Sequence, residues 1–263
     1  MVNNKKIDHA IISFNKGSDY ELLWPLVSQS WKEVCSIHPL AFVLSESSSE
    51  FDHYKSGDIK NVKIEEGFHK SLQSQLLRLY SFKYLENKPE SICVISDADM
   101  IAINQDFFNK GLALHKEGKV VSFYRHIVSA GEIPICYNLG TVNTFIQIFK
   151  LNEFNTFREF LSYIKLKYKK QYEKLNGNKN RFGWSIDQIF LWDCFIENQD
   201  KFITPNFELN RLDRSRWPNN ETLETNLKLK IYNDCHFFNS NLNIDLLNLG
   251  KKVINLSKNS SKN

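Results

Sequence analysis

A chain of 263 residues can form one large domain or two small ones around a substantial core. Its 42% hydrophobic content, with 20 Phe and 10 Tyr, marks a globular protein, and a net charge of +4 is too mild for the concentrated basic face of a nucleic-acid binder. Five scattered cysteines (Cys35, Cys93, Cys136, Cys194 and Cys235), odd in number and without a CxxC pair, argue against a disulfide framework and fit reduced, buried thiols in the cytoplasm. No apolar stretch reaches the roughly 20 residues that span a bilayer. Asp8 and His9 interrupt the short apolar run behind Lys5 and Lys6, so a signal peptide is not expected either.

Residues 7–14 read as a buried strand that ends at Asn15-Lys16-Gly17 and carries Ser13 near its end. Ser18-x-x-Glu21 predicts a capping box opening a helix toward Val34, with Pro25 as a first-turn proline. Residues 40–44 form a second predicted strand and 62–64 a short third. Over residues 71–85, Leu72, Leu76, Leu79, Tyr80 and Tyr84 recur at helical spacing, with Gln75 and Arg78 flanking the stripe. A strand over 91–96 follows, then a helix capped by Asn104 and stopped at Gly118, then a strand over 120–124. The segment 134–149 contains Tyr137-Asn138-Leu139-Gly140-Thr141. Thr156-x-x-Glu159 caps a helix running to about residue 175, and the polar loop 176–183 has the composition of a mobile lid. Ser185-x-x-Gln188 caps one more helix. Beyond Asp200 the chain is rich in Asn, Arg and Lys and shows little periodicity. The alternation predicts one α/β domain over residues 1–256, followed by a polar, disordered tail over 257–263.

The chemistry concentrates in Ser96-Asp97-Ala98-Asp99-Met100, where an apolar strand runs into two carboxylates one residue apart. Alternation places Asp97 and Asp99 on the same side of an extended backbone, where they repel unless a cation sits between them. A hard divalent ion does so and can bridge onward to the phosphates of a nucleotide. The plainer alternative is a solvated turn, or a negative charge ahead of the Asn104 helix. His236, in the aromatic run Tyr232-Asn233-Asp234-Cys235-His236-Phe237, is a candidate further ligand or a hydrogen-bonded core histidine. Mixed carboxylate and imidazole ligation favours Mn²⁺ over Mg²⁺. Asp187 is accounted for by its first-turn position, although Gly183-Trp184 ahead of it has the look of a site edge. Arg78 either snorkels to the surface or leans over the strand ends toward a phosphate or toward Asp97. Arg211, Arg214 and Arg216, ahead of Trp217-Pro218, form a solvated loop or an anion clamp.

The order of these features resembles the GT-A-fold glycosyltransferases, and most of all the retaining galactosyl- and glucosyltransferases of glycosyltransferase family 8. The resemblance spans residues 7–240 and is one of motif order: Ser13-Phe14-Asn15, a helix with Gln75 and Arg78, Asp97-Ala98-Asp99, Tyr137-Asn138-Leu139-Gly140, Trp184-Ser185-Ile186-Asp187-Gln188 and Cys235-His236-Phe237. It implies a Rossmann-like mixed central sheet flanked by helices. It also implies transfer of a hexose from a nucleotide-diphosphate sugar, UDP being the common carrier, to a surface glycan or glycolipid acceptor. By the same resemblance, Asp97, Asp99 and His236 would hold Mn²⁺ (or Mg²⁺), while Ser13, Asn15, Arg78, Asp97 and Asn138 would line the donor site. Asp187 and Gln188 would stand near the anomeric carbon. With inversion Asp187 would be the general base; with retention Asp187 and Gln188 would steady a cationic sugar while the leaving phosphate takes the proton, and the resemblance favours retention. The rivals are a haloacid-dehalogenase-type phosphohydrolase with Asp97 as nucleophile, and a nucleotide-sugar-binding module without turnover. No nucleic-acid partner is expected. Lys251, Lys252 and Lys258 leave open a peripheral contact with the inner face of a membrane, or a simple solvated terminus.

Overall fold

Strands buried on both faces need continuous apolar runs, and segments 9–15, 38–45 and 92–95 supply them, while segments 51–54 and 57–63 are the more polar and more exposed strands of the first half. In the computed structural model, which describes residues 5–124, 131–174, 185–213, 217–237 and 243–260, they become β1 (His9–Asn15), β2 (His38–Ser45), β3 (Phe51–Tyr54), β4 (Gly57–Lys63) and β5 (Ile92–Ile95). The later strands are β6 (Met100–Ala102), β7 (Val120–Ser122), β8 (Asn138–Thr141), β9 (Phe202–Ile203), β10 (Arg211–Asp213) and β11 (Asp234–His236). The helices are α1 (Asp19–Glu33), α2 (Lys70–Tyr80), α3 (Gln105–Leu114), α4 (Val142–Ile148), α5 (Phe157–Lys167), α6 (Lys169–Lys174), α7 (Ile186–Glu197), α8 (Asn220–Lys228) and α9 (Ile244–Ser260).

The main sheet has eight strands in the order β3-β4-β2-β1-β5-β8-β7-β9, and a second sheet has the order β10-β11-β6. Strands β4, β2, β1 and β5 run parallel, whereas β3, β8 and β7 join the main sheet antiparallel to β4, β5 and β8 respectively. This is the mixed α/β sheet flanked by helices, of the Rossmann-like GT-A kind, that the sequence predicts. Side-chain alternation divides the core between the two faces of the sheet. Ala10, Ile12, Phe14, Ala41, Val43 and Val94 pack with Trp24 and Trp31 of α1 and Phe108 of α3. Ile11, Phe42, Cys93 and Ile95 pack on the other face with Leu76 of α2, Phe145 of α4 and Phe160 of α5.

Strand order reverses at β1: the chain goes on from it to β2 on one side and comes back to β5 on the other. In such sheets the crevice outside the carboxyl ends of the strands at the reversal is where ligands bind. Ser13, Asn15 and Asp97 stand there, because β1 pairs with β5 through Ile11↔Ile95 and both strands end just beyond.

Several predicted boundaries move. The 71–85 helix is α2 followed by a 3₁₀ turn over Ser81–Leu85. The Asn104 helix is capped as predicted, with the Asn104 side chain accepting from Asp106 N, but it ends at Leu114. The helix capped by Thr156 breaks at Tyr168 into α5 and α6. Ser18 makes no side-chain cap; its hydroxyl donates to Asn15 O at 2.5 Å, and Glu21 reaches back to Gly17 N at 2.6 Å. At the other end, α9 continues through Ser260, so the tail predicted from 257 begins as helix and Ser257 is buried. Lys252 pairs with Glu224 and Lys258 with Glu33, each at 2.7 Å, which turns these cations onto the protein itself. Among the described residues no helix is long and apolar enough to cross a membrane.

Helix α3 approaches the ring of Phe123 so closely that a Cβ at Gly111 would stand 2.1 Å from its Cζ. Gly111→Ala is therefore expected to lose about 1–3 kcal/mol through overpacking. Urea denaturation measures it, and an unchanged midpoint would mean that Phe123 has room to retreat.

Candidate functional site

Helix α2 has two stripes. Leu72, Leu76 and Leu79 are fully buried against the sheet, while Ser71, Ser74, Gln75 and Arg78, spaced as i, i+3, i+4 and i+7, turn toward a cavity at the strand ends. The Ser13 hydroxyl donates to Ser74 O and ties β1 to this helix. Arg78 is only 7% exposed, and its two terminal nitrogens go to different carboxylates. Nη1 donates to Asp97 Oδ1, at the end of β5, and Nη2 donates to Asp187 Oδ2, in the first turn of α7. Of the two alternatives for Arg78, it is therefore the lean over the strand ends toward Asp97 that the structure adopts.

Asp187 is 1% exposed and takes a second bond from Gln188 N at 2.9 Å. Burial pushes its carboxyl above the usual range, with the Arg78 guanidinium pulling the other way. Burial works in the same sense on Asp97, but Arg78, the Cys136 thiol and His236 outweigh it and hold that carboxyl below its ordinary value. The capping box predicted at Ser185 does not form: Ser185 has φ 72° and makes no side-chain cap. In the first turn of α7, Asp187 is held by its buried ion pair with Arg78.

The small sheet delivers the other half of the site. The turn at Asp97-Ala98-Asp99 carries the chain from β5 in the main sheet to β6 in the second. Phe237 N donates to Asp99 O at 2.8 Å, docking β11 against that turn. His236, at the end of β11, has Nε2 at 3.3 Å from Asp99 Oδ2 and Nδ1 at 3.2 Å from Asp213 Oδ1. Beneath it, the fully buried Asp234 accepts from Arg211 Nε at 2.7 Å and Nη2 at 2.9 Å, and from the Tyr124 hydroxyl at 3.4 Å. Arg211 is thus neither a solvated loop residue nor an anion clamp, but the half-buried partner of Asp234 that joins β10 to β11. Arg214, Arg216, Gly183, Trp184 and the lid predicted at 176–183 lie outside the described residues.

Ser13, Asn15, Arg78, Asp97, Asp99, Gln188 and His236 all line one cavity of about 280 Å³. Residues predicted from five separate stretches of chain are brought together there, with Asp187 directly behind Arg78. Asn138 is not among the lining residues. Its amide donates to Pro134 O at 2.9 Å and Ile135 O at 2.8 Å, so its donors hold the turn ahead of β8. Tyr20, Ser71 and Ser74 also face the cavity and were not predicted. The α2 spacing gave a signal for the two serines, and Tyr20 follows the Asn15 turn by only five residues.

The donor set can be tested against a divalent ion. Two ligands bonded at about 2.1 Å and roughly at right angles stand about 3.0 Å apart. Asp99 Oδ2 and His236 Nε2, at 3.3 Å, nearly meet that spacing. Asp97 borders the same cavity but is turned to Arg78, and among the described residues no three His, Cys, Asp or Glu side chains converge closely enough to hold a metal. Two of the three predicted ligands are at ligand spacing and the third is engaged by a guanidinium.

No protein-family model matches this sequence, and no curated protein is similar to it. Among solved structures, the chain is similar to the glycosyltransferase GlyE of Streptococcus pneumoniae TIGR4, with a TM-score of 0.46 in one crystal structure and 0.49 in the apo form. Both are 9% identical to it, and 97% and 98% of this chain are covered against 63% of theirs, so it spans less than two thirds of the length of GlyE. It is also similar to apo mouse xyloside xylosyltransferase 1, with a TM-score of 0.45 and 9% identity over 90% of this chain and 99% of that one. Likenesses at this level carry no residue roles across.

Replacing Arg78 by Met leaves two carboxylates without their shared cation, an expected loss of about 3–5 kcal/mol at neutral pH. In that variant burial, with the charge of Asp97, outweighs the remaining Gln188 N–H bond on Asp187, so its folded pKa lies above the unfolded value. The penalty is absent below the unfolded pKa, grows as pH rises from the unfolded toward the folded value and is complete above the folded one. Urea midpoints of Arg78→Met and the parent should therefore converge as pH is lowered from 7 toward 4; a deficit that ignores pH would contradict this account.

Proposed function

We propose that the protein is a divalent-cation-dependent glycosyltransferase that moves a hexose from a nucleotide-diphosphate sugar, UDP-linked, to a glycan or glycolipid acceptor with retention. The observation that carries the reading is the meeting of Asp97, Asp99, His236 and Arg78 around one cavity at the carboxyl ends of β1 and β5. Two carboxylates by themselves repel a diphosphate; with a divalent ion they attract one. Mn²⁺ (or Mg²⁺) would be held by Asp99 and His236, with Asp97 as the third ligand. When bound it supplies a Lewis acid for the charge that develops on the departing nucleotide diphosphate.

In this reading the chain's own side chains divide the remaining work. Ser13 and Asn15 border the nucleotide end of the cavity, and Arg78, pinned by Asp187, presents a fixed positive charge to the phosphates. Gln188 borders the cavity beside Arg78, where its amide can meet the sugar. Support for retention over inversion comes from Asp187. One of its oxygens is committed to Arg78 and the other to Gln188 N, and it does not line the cavity, which is poor placement for a base that must reach an acceptor hydroxyl.

The test combines binding with turnover. With Mn²⁺ present, one UDP-hexose of a panel should raise the melting temperature and be hydrolysed slowly in the absence of acceptor, neither happening in chelator. Asp99→Ala should cut turnover by about 100-fold or more while the protein stays folded. Undiminished turnover in chelator would remove the metal from the reading; binding without any hydrolysis would make the protein a sugar-nucleotide binder.

A further inference from the structure

His236 is held from both sides, and only one side faces the cavity. Asp99 and His236 line it; Asp213, whose carboxylate faces Nδ1 at 3.2 Å, does not. The contact follows from backbone register, since β10 and β11 are parallel and pair Asp213 with His236 directly. Two residues earlier in each strand the same register pairs Arg211 with Asp234, and their two-point ion pair, buried at the Asp234 end, locks the strands against sliding. The distance between Asp213 and His236 is therefore set by a rigid platform.

We propose that Asp213 is a positioning residue for the divalent-cation site: by accepting the Nδ1–H of His236 it fixes the tautomer and ring plane that turn Nε2 toward Asp99 as a ligand. Imidazole ligands usually have such a carboxylate or carbonyl behind them, and losing it typically costs 10–100-fold in metal affinity (about). This inference rests on the reading of Asp99 and His236 as cation ligands. It adds a residue that the motif order does not contain, since Asp213 belongs to none of the segments carrying the resemblance.

The experiment is Mn²⁺ binding to the full, nucleotide-free chain, read as free Mn²⁺ by electron paramagnetic resonance, with pulsed spectra of the bound ion for ¹⁴N coupling from imidazole. The parent should bind and show the coupling; Asp99→Ala and His236→Ala should lose binding. Asp213→Ala should bind about 10–100-fold more weakly with the ¹⁴N coupling reduced, and Asp213→Asn, which keeps an acceptor oxygen, should recover both in part. Parent-like affinity and coupling in Asp213→Ala, with Asp99→Ala and His236→Ala still defective, would overturn the role of Asp213 and leave the cation site standing. So would an Asp213→Ala protein whose metal-free melting temperature collapses and which Asn does not restore, since that marks a folding role. A parent that binds no Mn²⁺ either alone or in the presence of UDP would sink both.

Discussion

One guanidinium shared between two carboxylates holds the centre of this protein together. Arg78 comes from α2, Asp97 from the end of β5 and Asp187 from the first turn of α7, so a single side chain joins segments 19 and 109 residues away from it in sequence. Arg78 and Asp187 each cost several kcal/mol to take out of water, and Asp187 and Asp97 could not both stay ionised here without a cation. A lysine could not serve in the same way. Its ammonium is a point charge, whereas the planar fork of arginine offers separate nitrogens in fixed directions to two acceptors. The arrangement leaves Asp97 ionised at the cavity wall and keeps Asp187 out of the cavity altogether.

The second sheet exists, in energetic terms, to bring the end of the chain back to that wall. Its strands are only three residues long, too short to be stable alone. They persist because Cys235, Leu212 and Ile101 are buried in the same core as α1, and because Arg211 and Asp234 satisfy each other where neither could be left unpaired. The reward of that construction is positional: His236 and Asp213 arrive side by side, with Asp99 across the turn.

Much of this was legible in the residues. β1, β2 and β5 are buried on both faces, so their apolar runs stand out whatever the context, and the Asp97/Asp99 pair stands out as two carboxylates closing such a run. The rest was hidden for separate reasons. β10 and β11 have no pattern of their own, because three-residue strands take their identity from distant partners. Ser185 has the residues of a capping box, but its backbone takes a left-handed conformation and its side chain makes no cap. Asn138 was assigned to the donor site by resemblance alone, and its local surroundings, two carbonyls in the preceding turn, claimed its amide instead. Helix α9 is a different case: Leu246, Leu247, Leu249, Val253, Ile254 and Leu256 do recur at helical spacing against the core, and an Asn- and Lys-rich composition obscured a signal that was present.

Charge balance around the cavity bears on how the proposed ligands depend on each other. Among the described residues, four carboxylates (Asp97, Asp99, Asp187 and Asp213) surround it or stand directly behind it, against the guanidinium of Arg78 and the imidazole of His236. Such a wall disfavours an anion that comes alone, and a diphosphate carries more negative charge than Arg78 can answer. A divalent ion alone meets an attractive but incomplete set of ligands, because Asp97 is already engaged. Together, the ion supplies the positive charge that the diphosphate lacks, and the diphosphate supplies the oxygen ligands that the protein lacks. Under the proposed function each therefore tightens the binding of the other by the same factor, as thermodynamic linkage requires. In that reading the phosphate oxygens of the donor would add to the protein ligands, of which Asp99 and His236 already stand near ligand spacing.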